Sequence, residues 1–491
     1  MQNSPTSYLH SSLPPDLMVF NSFAFLLFLP IVLTGSNFLR GRSRRLWLVA
    51  FSYLFYGWAV PWHCFLLIAS TLLDFHIGKW LHRTQSKRIR RLFLLLSLSG
   101  NLGLLAAFKY ADFLIQALND GIHFLGYDIS IARLGWALPI GISFYTFQTL
   151  SYTIDIYRRK LDPEKSFSSF ALFVAFFPQL VAGPIERATH ILPQINNPRQ
   201  CSVDQKLSAW CRILWGLAKK VVIADWFAIY VDEAFAIPGF GGPWVFLLAI
   251  NLFAFQIYLD FSAYSDIAIG LGQLLGINLR ENFRWPYLSR NISEFWHRWH
   301  ISLSTWLRDY LYFSLGGARD GVTRKVLNLL TVMLLGGLWH GAAYHFLAWG
   351  LWIGFLLGAH AITKPWIAKT LARWLPSHLF QILCILFTYI TILCSWVLFR
   401  SKNLDQALIG FRSLGGDWSS YYFGPDPGTT QRVSIMLALA VSMHIIRGCG
   451  YLKPTASRSR PIRLSFYVAG ILTFIAMFHA PEPTKFIYFQ F

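Results

Sequence analysis

Two short stretches hold most of the residues in this chain that could do chemistry, and both contain histidines. "FWHRWHISLSTWLRDYLYFSLGG", residues 295–317, carries His297, Arg298, His300, Arg308 and Asp309 among three tryptophans. "GGLWHGAAYH", residues 336–345, sets His340 in an apolar run with no Lys, Arg, Asp or Glu for more than ten residues on either side. An ionisable group at membrane depth is costly and usually faces a pathway or a site. Burial lowers the pKa of an imidazole, so His340 is expected to stay neutral near pH 7 and able to accept a proton. That makes it the sharpest candidate for a general base. Gly336, Gly337 and Gly341 around it allow a backbone or a ligand to approach closely. A structural core histidine is the competing reading, and it suits His345 better.

The first stretch reads as a helix. At about 100° per residue, Trp296, Trp299, Leu303, Trp306 and Tyr310 form one apolar stripe, with Glu294, Arg298, Thr305 and Arg308 toward the other side. The pattern predicts an amphipathic helix at a membrane interface or cavity rim, its tryptophans at headgroup depth. His300 falls on the margin between the faces, while His297 turns into the polar side as a bystander. Arg298 and Arg308 are candidates for attracting an anionic substrate, with a structural role standing beside that. Asp309 reads first as the partner of an arginine. Trp339, beside His340, and Asp260, in "QIYLDFSAYSDIAIG", complete the substrate-binding candidates. Asp260 and Asp266 either line a polar path or bond to neighbouring hydroxyls.

The elements that must position these residues are written in the composition. Hydrophobic residues make up 55% of the 491, aromatic residues 17%, and charged residues only 13%, against about 25% in soluble domains. Mean hydropathy is +0.44. Apolar runs of about 20 residues recur throughout, the length that spans a bilayer as a helix. The fold class is therefore an all-α polytopic membrane protein, with about eleven spans plus re-entrant or interfacial helices. The runs 243–277 and 326–362 are too long for one upright span, so each predicts a bend or a break. "FFPQLVAGP" (176–184) predicts another. Residues 1–17 hold Pro14 and Pro15 but no Lys or Arg, so they lack the basic start of a signal peptide. They read as a flexible extension before a single transmembrane domain, 18–491.

A net charge of +20 does not point to nucleic acid. The basic blocks "RGRSRR" (40–45), "HRTQSKRIRR" (82–91) and "RRK" (158–160) fall in short connections between apolar runs, where the positive-inside rule places them in the cytoplasm. A hairpin across 46–80, turning near Pro61, and crossings at about 92–110 and 134–156 put all three blocks on that side. The segment 111–132, with Asp112, Asp120 and Asp128, falls outside. The six cysteines are scattered without a C-x-x-C pair and support neither a disulfide frame nor zinc. His297, His300, His340 and His345 lack the converging ligands of a di-iron oxygenase. A transporter accounts for embedded acids and broken helices, but not for the isolated His340.

Taken together, "PIGISFYTFQTLSYTIDIYR", "FFPQLVAGPIER", the run from "QIYLDFSAYSDIAIG" through "RWHISLSTWLRDYLY", "LLGGLWHGAAYHFLAWG" and the terminal "FIYFQF" are specific. The chain resembles the membrane-bound O-acyltransferase family, and within it the bacterial alginate O-acetylation branch. The likeness runs from Met18 to Phe491 and is faintest over 400–465. It implies helices around a central tunnel, with His340 at the family's essential histidine and His300 at its second signature position. It further implies acyl transfer from a thioester donor, acetyl-CoA, at the cytoplasmic face of the inner membrane. The acceptor would be a hydroxyl of an exported polysaccharide or an extracytoplasmic acetyltransferase partner. A non-catalytic acyl conduit and D-alanyl transfer to a cell-wall polymer are the alternatives. No bound cofactor or metal is required.

Overall fold

A computed structural model describes residues 18–369, 375–419 and 426–450 and short pieces between 470 and 487. The expected extension 1–17 and most of the run 463–479 lie outside the described residues. Every regular element among the described residues is helical. They fall into two compact units: 18–213 with Ile267–Arg280, and Leu214–Asp266 with the described residues from Glu281 to Ile487.

In the first unit, α1 (Phe23–Phe38) starts at Ser22, whose Oγ accepts the Phe25 N–H at 3.2 Å. The α2 (Gly41–Gly57) and α3 (His63–Arg83) helices form the hairpin expected around Pro61. The next helix, α4 (Lys87–Lys109), starts before residue 92 and takes part of the second basic block into its first turns. Arg90 shows why. Its buried guanidinium folds back onto carbonyls near the C-termini of α3 and the later α6 (Ile142–Tyr157), donating to Leu81 O, to Ile156 O at 3.2 Å and to Tyr157 O at 2.7 Å. The ends of α3 and α6 therefore lie side by side. Between α4 and α6, α5 (Ala111–Phe124) carries Asp112 and Asp120, and Asp128 lies beyond its end.

"FFPQLVAGP" breaks where expected. α7 (Phe167–Ala175) stops at Phe176 and α8 (Phe177–Leu180) restarts with Pro178 in its first turn. The freed Phe173 carbonyl accepts the side-chain amides of Gln148 and Gln179, and Ser52 Oγ accepts the Phe177 N–H at 3.2 Å. Non-helical backbone is tolerated at this depth because protein groups complete its hydrogen bonds. In α9 (Ala188–Asn196), His190 Nδ1 reaches the buried Glu186 carboxylate at 2.8 Å.

α10 (Val203–Ala218) runs into a π-helical turn, Lys219–Ala224, and then α11 (Asp225–Ala236). The run 243–277, most of which lies in the second unit, departs from expectation. α12 (Pro243–Leu274) is one unbroken helix of 32 residues, about 48 Å long at 1.5 Å per residue. It has no proline after its first residue, so no ring clash or missing N–H forces a kink inside it. The run 326–362 does break, at 341–343, into α15 (Gly321–His340) and α16 (Tyr344–Lys369); ahead of α15 stand the short α13 (Ile292–Arg298) and α14 (Ile301–Trp306). Small residues bring α15 and α16 together. A Cβ at Gly337 would overlap the Phe346 carbonyl, one at Gly350 the Met333 carbonyl, and one at Gly354 the Leu330 Cα. The unit also holds α17 (Ser377–Arg400), α18 (Leu404–Ser413) and α19 (Pro427–Gly448).

Seven of the described helices are long and apolar enough to cross a bilayer: α3, α4, α12, α15, α16, α17 and α19. They expose large apolar side chains such as Phe65, Leu95, Phe355, Phe387 and Leu439, as lipid-facing surfaces do. Three of the runs expected to span form shorter or broken helices, α1, α6 and α7–α8, while α10 continues through its π-helical turn into α11, and most of the run 463–479 lies outside the described residues.

Candidate active site

The stretch that predicted one interfacial helix is broken at His300. α13 ends at Arg298, α14 begins at Ile301, and a π-helical turn, Leu307–Tyr312, follows. His300 sits between them in the left-handed region, φ 41° and ψ 55°, a conformation that costs a non-glycine residue of order 1–3 kcal/mol. The break corrects the tryptophan assignment as well. Trp299, Leu303 and Trp306 are buried in protein rather than seated at headgroup depth. Trp299 instead packs 5.0 Å from Trp396 and 5.2 Å from Phe283, and Trp296 5.9 Å from Trp349.

Asn282 holds the break together. Its backbone carbonyl accepts the Ile301 N–H at 2.9 Å, and its side-chain Oδ1 accepts the Ser302 N–H at 3.1 Å and Ser302 Oγ at 2.9 Å. The first turn of α14 is thus capped from outside the helix, since His300 supplies no side-chain cap. The same Oδ1 lies 3.2 Å from His300 Nδ1. A backbone N–H can only donate, which identifies that Asn282 atom as the oxygen and assigns the proton to His300 Nδ1. Nε2 is then the basic nitrogen. His300 is wholly buried against Phe261 at 4.7 Å, and burial alone pushes its pKa down to about 3.

His340 is the last residue of α15, 4% exposed. Its ring lies 5.1 Å from Trp349 and 5.2 Å from Phe399, both edge-on. Trp339 joins the two histidines: its ring centroid is 5.0 Å from His340 and 6.0 Å from His300. Forty residues apart in sequence, the two imidazoles flank one indole. The glycine collar serves packing rather than ligand access, since a Cβ at Gly341 would overlap the Phe346 ring. His345 is buried with Nδ1 3.1 Å from the Leu398 carbonyl, a structural placement.

The remaining candidates do not converge on this pair. Arg298 pairs with Glu294 at 2.6 Å, Arg308 with Asp309 at 2.8 Å, and His297 is exposed over the Ser293 carbonyl. Asp260 lies in a different polar cluster, although its neighbour Phe261 touches His300. There Lys220 Nζ is 2.8 Å from Asp225 and 2.7 Å from Asp260, all three fully buried. Asp260 also accepts the Ile487 N–H at 2.7 Å, and Asp225 the Thr484 hydroxyl at 2.5 Å. Lys219 pairs with Asp266 at 2.6 Å, so Asp266 is an ion-pair member. Sequence reasoning missed Asn282, Lys220 and Asp225. The lysine pair inside the run 209–231 was the available signal, whereas nothing marked Asn282.

A multi-pass helical membrane protein with two histidines buried around one tryptophan is the class this arrangement defines. The chain belongs to the membrane-bound O-acyltransferase family, whose profile matches residues 124–397, and it is an acyltransferase. It is 42% identical to a probable alginate O-acetylase of Pseudomonas putida over 82% of this chain and 81% of that protein. It is 35% identical to a peptidoglycan O-acetyltransferase of Helicobacter pylori over 82% and 80% of the two chains. Likeness to a teichoic acid D-alanyltransferase of Bacillus subtilis is lower, 26% over 54% of this chain and 69% of the other.

Proposed function

We propose that this chain moves an acetyl group from acetyl-CoA, at the cytoplasmic face of the inner membrane, to a hydroxyl outside it, either on an exported polysaccharide or on an extracytoplasmic acetyltransferase partner. The observation that carries the reading is the burial of His300 and His340 on either side of Trp339, in a chain whose relatives are named for O-acetylation. His340 takes the hydroxyl proton as the oxygen attacks the thioester carbonyl. The C–S bond then breaks and the thiolate receives that proton. Hydrogen therefore passes from oxygen to sulfur with no net charge and no redox partner. The tautomer of His300 favours positioning over polarisation. Nε2 can accept a hydrogen bond from the hydroxyl or the donor arm, whereas holding an oxyanion requires a donated proton. Arg298 and Arg308 would draw the anionic donor through their residual field, their ion pairs reducing that effect.

Labelled acetyl-CoA supplied to purified protein with polysaccharide oligomers tests the reading. Transfer that is lost in His340→Ala supports it. Transfer of D-alanine from a carrier protein in place of acetate would favour the teichoic-acid reading. Transfer seen only when a second acetyltransferase is added would favour the conduit.

A further inference from the structure

A cleft of about 210 Å³ lies in the second unit, where the π-helical turn Lys219–Ala224 faces α19. Val222 and Ile223 line it from the turn, and Met436, Leu439, Ala440 and Met443 line it from α19. The four α19 residues recur at i, i+3, i+4 and i+7, which is one face of a helix. Leu439 is 60% exposed, so the cleft opens on the surface of a helix long and apolar enough to cross a bilayer.

The lining selects hydrocarbon. A π-helical turn closes its hydrogen bonds from i to i+5 and is wider than an α-helical one. Here two successive lysines reach α12: Lys219 Nζ lies 2.6 Å from Asp266 and 2.8 Å from Ser262 Oγ, and Lys220 Nζ 2.7 Å from Asp260. Lys219 also lines the cleft. With its ammonium engaged on α12, it presents methylenes to the cleft. An apolar cavity of this size stays dry and takes up hydrocarbon-like molecules. A sugar or a nucleotide would find almost nothing there to bond.

Charge marks both ends of the same α19 face. Arg432 stands one turn before Met436 and Arg447 one turn after Met443. About 22 Å of helix separates them, within the hydrocarbon thickness of a bilayer. Each guanidinium lies over an indole: Arg432 is 4.3 Å from Trp226, and Arg447 is 4.9 Å from Trp215, which itself lines the cleft. Anchoring at headgroup depth accounts for two Arg–Trp pairs, but not for a cleft between them. Arg432 has Asp426, the N-cap of α19, in its field, whereas Arg447 has no anionic partner among the described residues. We propose that the cleft holds one acyl chain of an anionic phospholipid whose phosphate sits at Arg447. The chain matches the apolar lining, and the phosphate matches a guanidinium without an anion of its own. Bound there, the lipid fills the space between α19 and the turn that carries Lys220.

The test uses the purified full chain, stripped of lipid in detergent. It is titrated with phosphatidylglycerol, with phosphatidylcholine of the same acyl chains, and with inorganic phosphate. Thermal midpoint and native mass spectrometry are read in parallel. Phosphatidylglycerol should raise the midpoint saturably, as a ligand of the folded state does, and remain bound as one molecule per chain. Phosphatidylcholine should bind about fivefold more weakly, and inorganic phosphate should have no effect. Arg447→Gln should remove the difference between the two lipids. Ala440→Phe, which fills the cleft, should abolish retention of either, and it keeps the test open if Arg447→Gln does not insert. Equal binding of the two lipids to the wild type, stabilisation by inorganic phosphate alone, or retention unchanged in Ala440→Phe would overturn the proposal.

Discussion

Asn282 accepts from both Ser302 and His300 through one side-chain oxygen, at 3.1 Å from the Ser302 N–H and 3.2 Å from His300 Nδ1. One residue therefore caps α14 and sets the tautomer of a site histidine. Asn282→Ala should insert but lose roughly 100-fold in kcat, the scale of a misplaced catalytic geometry. Wild-type turnover in that variant would remove Asn282 from the site.

His340→Ala should cost about 10²–10⁴ in rate if the residue acts as general base. Expression, membrane insertion and thermal midpoint should stay close to wild type. An unchanged acetylation rate in correctly inserted protein would end the assignment.

Burial lowers the pKa of His300 to about 3, against about 6.5 in the unfolded chain. The folded state thus binds fewer protons, and stability rises with pH through that window. The contribution is complete above about pH 6.5 and is lost as pH falls toward 3. Thermal midpoints from pH 4 to 8 should show this slope, and His300→Asn should flatten it. An identical slope in the variant would assign the effect to other groups.

Lys220 neutralises two buried carboxylates. Removing one member of such a set typically costs 3–5 kcal/mol, because a charge is left uncompensated. Lys220→Met should therefore lower the thermal midpoint sharply, and adding Asp225→Asn with Asp260→Asn should recover much of the loss. If the triple variant were no better than the single one, the cluster would not act as a charge-balanced set.

Gly337 and Gly350 sit where α15 and α16 approach each other's backbone. Gly350→Val should separate the helices and lower both activity and thermal stability, whereas Gly103→Val, in open space on α4, should be neutral. Equal behaviour of the two variants would show that close approach is not what these glycines provide.

Much of this was legible in the linear order of residues. Apolar run length marked membrane-crossing helices, and the isolation of His340 marked a candidate site. The interruption at 341–343 followed from a run too long to cross once. The same length argument failed for α12, because a helix that lacks internal proline has no local reason to stop. The break at His300 was hidden for a different reason. Its tryptophans fit a continuous 3.6-residue stripe, and only a tertiary partner, Asn282, offers the hydrogen bonds that make a left-handed residue tolerable there.

By itself the sequence determined a polytopic helical acyltransferase with two candidate histidines, since hydropathy, charge order and motif residues are properties of the chain. Tertiary structure alone decided that both histidines meet one indole, which nitrogen of His300 is basic, and that Asp260 belongs to a lysine cluster rather than the histidine pair. Those outcomes depend on side chains distant in sequence competing for the same hydrogen bonds and the same volume, and no local pattern records who wins.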